Sequence, residues 1–308
     1  LFDLGAGGVQ IGGTGGRARR GTPMWSHACR VERCLISGYG RIQPGATGVG
    51  IVYAGDNLVR RNTIRDGYYT GVNVGYGWNY GNTAPGGNIV EGNHIYEIGQ
   101  HVLSDMAGIY TLGEQPGTVL RGNLIHDLTQ ARYGAHGLYF DNSSSYITVS
   151  NNVITRCTEG GAKIGGLSKH LLLANNIFLN ASDSVMQATR IETNHCVFVV
   201  KCNVIATWKK SGMIINNWNP AQKTSVWDGN LYFSGTNPAK AFAGKGIDHW
   251  KEKKDARAVF ADPLFVDREA YDFRLKEDSP AFALGFKAWD YAKAGLYGKM
   301  SDRYGALS

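Results

Sequence analysis

The chain has 308 residues, 42 of them glycine, roughly twice the usual share for a soluble protein, which argues against a helical bundle. Apolar residues make up 43% and charged residues 19%, enough to bury a core and too ordered a composition for a disordered tail. The net charge of +7 divides into +5 over residues 1–236 and +2 beyond, which admits an anionic partner and argues against a basic nucleic-acid arm. Arg17, Arg19 and Arg20 sit among glycines and read as a solvated loop. No stretch approaches the roughly 18 apolar residues of a membrane span. The five cysteines, Cys29, Cys34, Cys157, Cys196 and Cys202, have no metal-ligand spacing, so no zinc site is expected. The first residue is Leu, so the chain reads as a mature form, a processed product or an excerpt.

One phrase recurs along the chain: apolar residues, a small or polar residue, Asn, then two apolar residues. It runs NLVRRNTI, NIVEGNHI, TVLRGNLI, ITVSNNVI, LLLANNIF, VFVVKCNVI and SVWDGNLY, with Cys34 in VERCLIS one unit earlier. The pivots Asn62, Asn93, Asn123, Asn152, Asn176, Asn203 and Asn230 are 24 to 31 residues apart, a solenoid period. Within each unit apolar and polar residues alternate with strand periodicity, and glycines punctuate the turns. Such units bury a core only by stacking. The spacing therefore predicts an all-β chain, a right-handed parallel β-helix of about eight or more coils, with the asparagines forming a ladder of amide hydrogen bonds.

After each pivot comes a second strand, often opened by glycine: Gly50, Gly71, Gly108, Gly137 and Gly161. Aligned on that glycine, positions one and three point inward: Ile51 and Tyr53, Val72 and Val74, Ile109 and Thr111, Leu138 and Phe140, Ala162 and Ile164. Position two forms an outward column of Val52, Asn73, Tyr110, Tyr139 and Lys163, which suits a sugar-binding floor. From residue 237 the repeat stops, and residues 237–308 read as an irregular segment packed over the last coil, closing the β-helix of residues 1–236.

The longest irregular insertions, 75–88, 97–108 and 127–137, fall on consecutive units and bracket the Tyr110/Tyr139 column. Near them lie Asp105, Glu114 and Asp141, with His101, His136, Arg132 and Lys163; Trp78, Tyr76, Tyr80 and Tyr133 are candidate walls. Glycoside hydrolysis needs two carboxyl groups about 5 to 9.5 Å apart. Glu114 and Asp141 are 27 residues apart, close to one coil, so repeat geometry alone favours that pair. For Asp105 to meet Asp141, the loop before Gly108 must fold back.

LFDLGAGGVQIGG, GYYTGVNVGYGWNYG, GQHVLSDMAGIYTLGEQPGTVLRGNLIHD, GAHGLYFDNSSSYITVSNNVI and FADPLFVDREAYDFRLKEDSPAFALGF together resemble a bacterial β-helix group similar to glycoside hydrolase family 141. The resemblance covers nearly the whole chain. It implies α-L-fucosidase-like or xylanase-like action on a complex plant or algal polysaccharide, without a cofactor and in a secreted, periplasmic or cell-surface setting. By motif it makes Asp105 in SDMAGIY and Asp141 in LYFDN the catalytic acids, leaving Glu114 and His136 secondary. It adds Gln187, Arg190 and Glu192 as candidates for substrate binding to Asn73, Tyr110, Tyr139 and Lys163 of the column and to Trp78 and Arg132 of the flanking loops. Two departures stand out: Asn142 where relatives carry an acid, and Lys163-Ile164-Gly165 where they carry His-Gln-His. Relatives also possess a longer N-terminal portion, so an upstream β-helix segment or a partner chain is expected against the first coil. Two alternatives stay open: a polysaccharide lyase, in which a cation such as Ca²⁺ neutralises a uronic carboxylate, and a non-catalytic carbohydrate-binding β-helix.

Overall fold

The computed structural model describes residues 1–13, 18–81, 84–180, 184–189, 194–208, 213–216, 224–235, 242 and 245–296. Each repeat contributes one short strand to each of three sheets, and every pairing within those sheets is parallel. In the coil bearing Asn123, for example, Leu124–Leu128 lies in the first sheet, Ala135–Phe140 in the second and Ser145–Ser150 in the third. This is the parallel β-helix that the period predicts.

The corner between third and first sheets explains the pivot. The residue before each pivot, Arg33, Arg61, Gly92, Gly122, Asn151, Asn175, Cys202 and Gly229, has φ between 53° and 65°. Glycine and asparagine enter that left-handed region most readily, hence the recurring GN and NN pairs. The turn brings each pivot amide against the next coil: Asn62, Asn93, Asn123, Asn152, Asn176 and Asn203 each donate Nδ2–H to the following Asn Oδ1 at 2.9–3.0 Å. At one end the Cys34 N–H donates to Asn62 Oδ1 at 2.9 Å, in the place that Cys34 holds in the repeat. At the other, buried Asp255 ends the ladder by accepting from Gly229 N, Asn230 N and Asn230 Nδ2. An acceptor-only group suits that end, because no later rung asks for a donor.

Isoleucine, valine and leucine from all three sheets fill the core. Helix Ile247–Lys253 closes the C-terminal end, with Trp250 packed on Trp227, Tyr232 and Phe242. Two details differ from the sequence expectation for the last segment. Strand Val259–Phe260 extends the first sheet past Leu231–Ser234. The rest then leaves the end and runs back along the outside of that sheet, where Phe265, Phe273, Leu284, Phe286 and Tyr291 cover Leu231, Val204, Ile177, Val153 and Leu124. It reaches as far as Gly92 and Thr63, whose carbonyl and hydroxyl accept from the Gly295 and Leu296 N–H groups at 2.7 and 2.9 Å. From Leu124 to Leu231 the outer face of the first sheet presents an apolar row, and this return strap is what keeps it from water.

Candidate active site

The second sheet leaves its outer face for function. Its outward row, set by backbone register, is Gly50, Asn73, Tyr110, Tyr139, Lys163 and Gln187. Val52 is not in this row: it pairs with Gly12 and Gly75. The stacked glycine of that coil is Gly48, not Gly50, and Tyr53 lies past the strand at φ 47°, half-buried instead of inward. The glycines also do more than punctuate turns. A β-carbon on Gly108 would sit 2.4 Å from Ile125 Cγ2, and one on Gly137 2.2 Å from Ile154 Cγ2. First-sheet isoleucines fill that space, so the strand continues through the glycine.

Asp141 directly follows strand Ala135–Phe140 and is 5% exposed. Its Oδ2 accepts from the Tyr110 hydroxyl at 2.6 Å, while Oδ1 is buried without a hydrogen-bond partner. Gly165 leaves room there, since a β-carbon on it would lie 3.0 Å from Oδ1. Asp105 directly precedes strand Met106–Thr111, at φ 59° and half-buried. Its N–H donates to Tyr133 O, and its carbonyl accepts from the Tyr69 hydroxyl at 2.8 Å. Both carboxylates act on the same two phenols from opposite ends of adjacent strands. Burial, the hydrogen bond to Asp141 and the charges of Asp141 and Asp105 push Tyr110 far above the ordinary phenol range. Burial, then Asp105, with smaller contributions from Tyr76 and Asp141, pushes Tyr69 up to about 12. Both tyrosines therefore remain neutral donors.

The row is more enclosed than the sequence implied. Tyr110 and Tyr139 are each 4% exposed, their rings edge to face at 4.6 Å and packed with Ala107 and Leu112. They cannot offer open faces to sugar rings, and Tyr110 instead anchors Asp141. Asn73 and Gln187 are buried too, Gln187 Nε2 donating to Glu159 O at 3.3 Å. Lys163 stays half-open, with Nζ 4.7 Å from the centre of the Tyr139 ring. Exposed aromatics stand instead at the two edges of the sheet: Trp78 after strand Val72–Gly75 and Tyr133 before strand Ala135–Phe140. Arg132 is exposed beside Tyr133, its N–H donating to Ser104 Oγ at 3.1 Å. Tyr76 lines a hollow of about 420 Å³ with Gln10 and Thr47, at the N-terminal end of the same face. Tyr80 lies under Lys169, its ring centre 3.2 Å from Nζ. Arg190 and Glu192 lie outside the described residues.

Glu114 does not share a register position with Asp141, although the Gly113 N–H donates to Asn142 O at 3.0 Å and keeps both acids at one corner. It begins the third-sheet strand Glu114–Arg121, pairs in register with Ser145, and accepts the Gly81 N–H at 2.7 Å, which ties down the loop bearing Trp78. Coil length explains the difference, since the offset at this corner is 31 residues and not 27. His136 is wholly buried between Ala107 and Gly160, edge-on to Tyr139. Burial and the Lys163 charge hold its pKa well below the usual imidazole value, so it is neutral. Glu159 was not anticipated: its carboxylate receives the Gly134 N–H and lies 3.8 Å from His136 Nε2. Its signal was an acid two residues before the strand glycine, where the two preceding coils carry Met106 and Ala135. Among the described residues no cluster of three or more His, Cys, Asp or Glu side chains could hold a metal ion, and no helix is long and apolar enough to cross a membrane.

Three parallel sheets with a polar, tyrosine-lined face between loop walls define a β-solenoid that carries its candidate site on one flank. Residues 4–252 match the family described as right handed beta helix region, and the chain belongs to that family. It is 25% identical over 215 residues to the uncharacterized protein YwoF of Bacillus subtilis (strain 168), over 64% of this chain and 40% of that protein's length. Among solved structures it is similar to a glycoside hydrolase at 16% identity and TM-score 0.41, over 81% of this chain and 34% of that one. It is also similar to XylC in complex with xylose at 15% identity and TM-score 0.47, over 71% of this chain and 37% of that one. The chain thus spans well under half the length of each of these proteins.

Proposed function

We propose that this chain is a glycoside hydrolase, acting on a complex plant or algal polysaccharide, with Asp105 and Asp141 as its two working carboxyl groups. The observation that carries the reading is the setting of Asp141: one oxygen anchored by Tyr110, the other bare beside the space at Gly165. A carboxylate fixed at one oxygen presents the second to an anomeric carbon or to a water molecule; Asp105 stands at the opposite end of the adjacent strand, and its role as proton donor requires its carboxyl group to lean along the row to about 5 to 9.5 Å from that of Asp141. Trp78 and Tyr133, exposed on the two edges, supply apolar faces for sugar rings.

The lyase alternative is less well supported, because His136, the neutral base nearest Lys163, is wholly buried. The test is turnover of xylans and α-L-fucosides by the wild type and by Asp141→Asn and Asp105→Asn. Each substitution should lower turnover by roughly 10²–10⁴-fold, the usual contribution of a positioned acid or base. Unchanged turnover in either variant would remove that residue from the mechanism.

A further inference from the structure

We infer that Lys163 recognises an acidic sugar, so that the groove takes a polysaccharide bearing carboxylate groups, as uronic acid polymers do. The inference rests on the carbohydrate reading above and adds the substrate class to it. Its first support is position. Lys163 stands in register with Tyr139, and Asp141 follows the strand that carries Tyr139, so the lysine is one strand, about 4.8 Å, along the solenoid from the Asp141 coil. A carboxylate that reached it would belong to the sugar at, or next to, the bond being cleaved.

The second support is the state of the charge. From Gly50 to Gln187 every other member of the outward row is buried, and Lys163 alone keeps partial exposure. Elsewhere in the fold Arg41, Arg121 and Arg156 are neutralised by Asp66, Glu91 and Asp127. Among the described residues Lys163 has none within 4.0 Å, and its contact is the π face of Tyr139. Of the nearby acids, Glu159 accepts from Gly134 and Asp141 gives Oδ2 to Tyr110, its Oδ1 lying against Gly165. A cation–π contact holds an ammonium in place without neutralising it, which leaves the charge set for an anion arriving from the groove. Its field is felt inside the sheet, where it helps to keep His136 unprotonated. The tyrosine that seats the lysine also packs against the tyrosine that anchors Asp141, which links the acidic subsite to the reacting coil.

The experiment compares binding to glucuronoxylan, polygalacturonate and alginate with binding to the same polymers after chemical reduction of their carboxyl groups to alcohols. Affinity electrophoresis is run for the wild type, Lys163→Gln, Lys163→Arg and, as a control for non-specific attraction by a basic protein, the exposed Lys251→Gln, with folding of each checked by circular dichroism. The wild type should bind at least one native polymer roughly 10 to 100-fold more tightly than its reduced form, the range that a charge-assisted hydrogen bond supplies. Lys163→Gln should abolish that difference while keeping affinity for the reduced polymer; Lys163→Arg and Lys251→Gln should retain it. Equal binding of native and reduced polymers by the wild type, a difference that survives Lys163→Gln, or an equal loss on both forms would each overturn the inference and leave the carbohydrate reading standing. Binding to none of the six polymers would count against that reading itself, and the inference would fall with it.

Discussion

The asparagine ladder makes a prediction that needs no substrate. In the middle of the stack, Asn123 Oδ1 accepts from Asn93 N and Asn93 Nδ2, both at 3.0 Å. Its Nδ2 donates to Val90 O at 3.0 Å and to Asn152 Oδ1 at 2.9 Å. Asn123→Ala deletes all four bonds, but the consequences are unequal. Asn93 Nδ2 still has Val59 O, and Asn152 Oδ1 still receives the backbone N–H of residue 123. The Val90 carbonyl keeps its place in the ladder with strand Glu114–Arg121, so the Asn93 N–H is the group left without a partner, in a site closed to water. At about 1–3 kcal/mol for a buried polar group left unsatisfied, the variant should lose about 2 kcal/mol, a sizeable part of the 5–15 kcal/mol typical of a domain. Urea unfolding followed by tryptophan fluorescence and circular dichroism measures it. Asn123→Asp is the informative companion: it keeps the acceptor for Asn93 but cannot donate to Val90 or Asn152, so it too should be destabilised. At position 255 the acid fits because the ladder stops there. A loss below about 1 kcal/mol for Asn123→Ala would refute the ladder as a source of stability and leave core packing to hold the corner.

Tyr110→Phe keeps the ring that packs on Tyr139 but removes the donor to Asp141. Losing a hydrogen bond to a charged group, about 1.5–3 kcal/mol, should lower kcat/KM by roughly 10 to 100-fold; an unchanged kcat/KM would deny Tyr110 its anchoring role. Stability should fall on acidification in two stages. His136 has a folded pKa below its unfolded value, so the unfolded chain takes the proton first, and stability is lost as the pH falls below about 6.5. For Asp127, burial opposes ionisation, but hydrogen bonds from Arg156 and His126, with their charges, win and hold the carboxyl well below the usual range. That contribution is present above about pH 3.9 and is lost as the pH falls through the depressed folded value. Urea midpoints at pH 7.5, 6 and 5 should decline in the wild type and stay flatter in His136→Gln; equal slopes would refute the first stage.

The ladder and the period were legible in the sequence because one local demand fixes them both. Each corner needs a left-handed residue and then an amide, and that pair repeats wherever the chain turns. The second strand was harder to align. Anchoring its first coil on Gly50 instead of Gly48 shifts the register by two, and a shift of two preserves the faces of a strand while changing the partners. Ile51 was therefore correctly placed inward, and Val52 was put in a row that Gly50 occupies. The burial of Tyr110 and Tyr139 was not legible at all, since no periodicity records how loops fold over a sheet. Nor was the course of residues 259–296, whose aromatics follow the apolar rungs of another sheet and not a pattern of their own.

The solenoid separates two tasks that a globular site would entangle. Asp141 and Tyr110 belong to adjacent coils and form one hydrogen-bonded unit, while Lys163 belongs to the next coil and touches that unit only through the Tyr139 ring. Since neighbouring strands are held in register by their backbones, a side chain can change on one rung without displacing the rung beside it. On the proposed reading, a coil bearing Lys163-Ile164-Gly165 alters the charge offered to a sugar and the space beside Asp141 Oδ1, and leaves the Tyr110–Asp141 anchor in place. On this architecture the choice of substrate can vary one rung at a time while the carboxylates stay where the ladder and the tyrosines hold them.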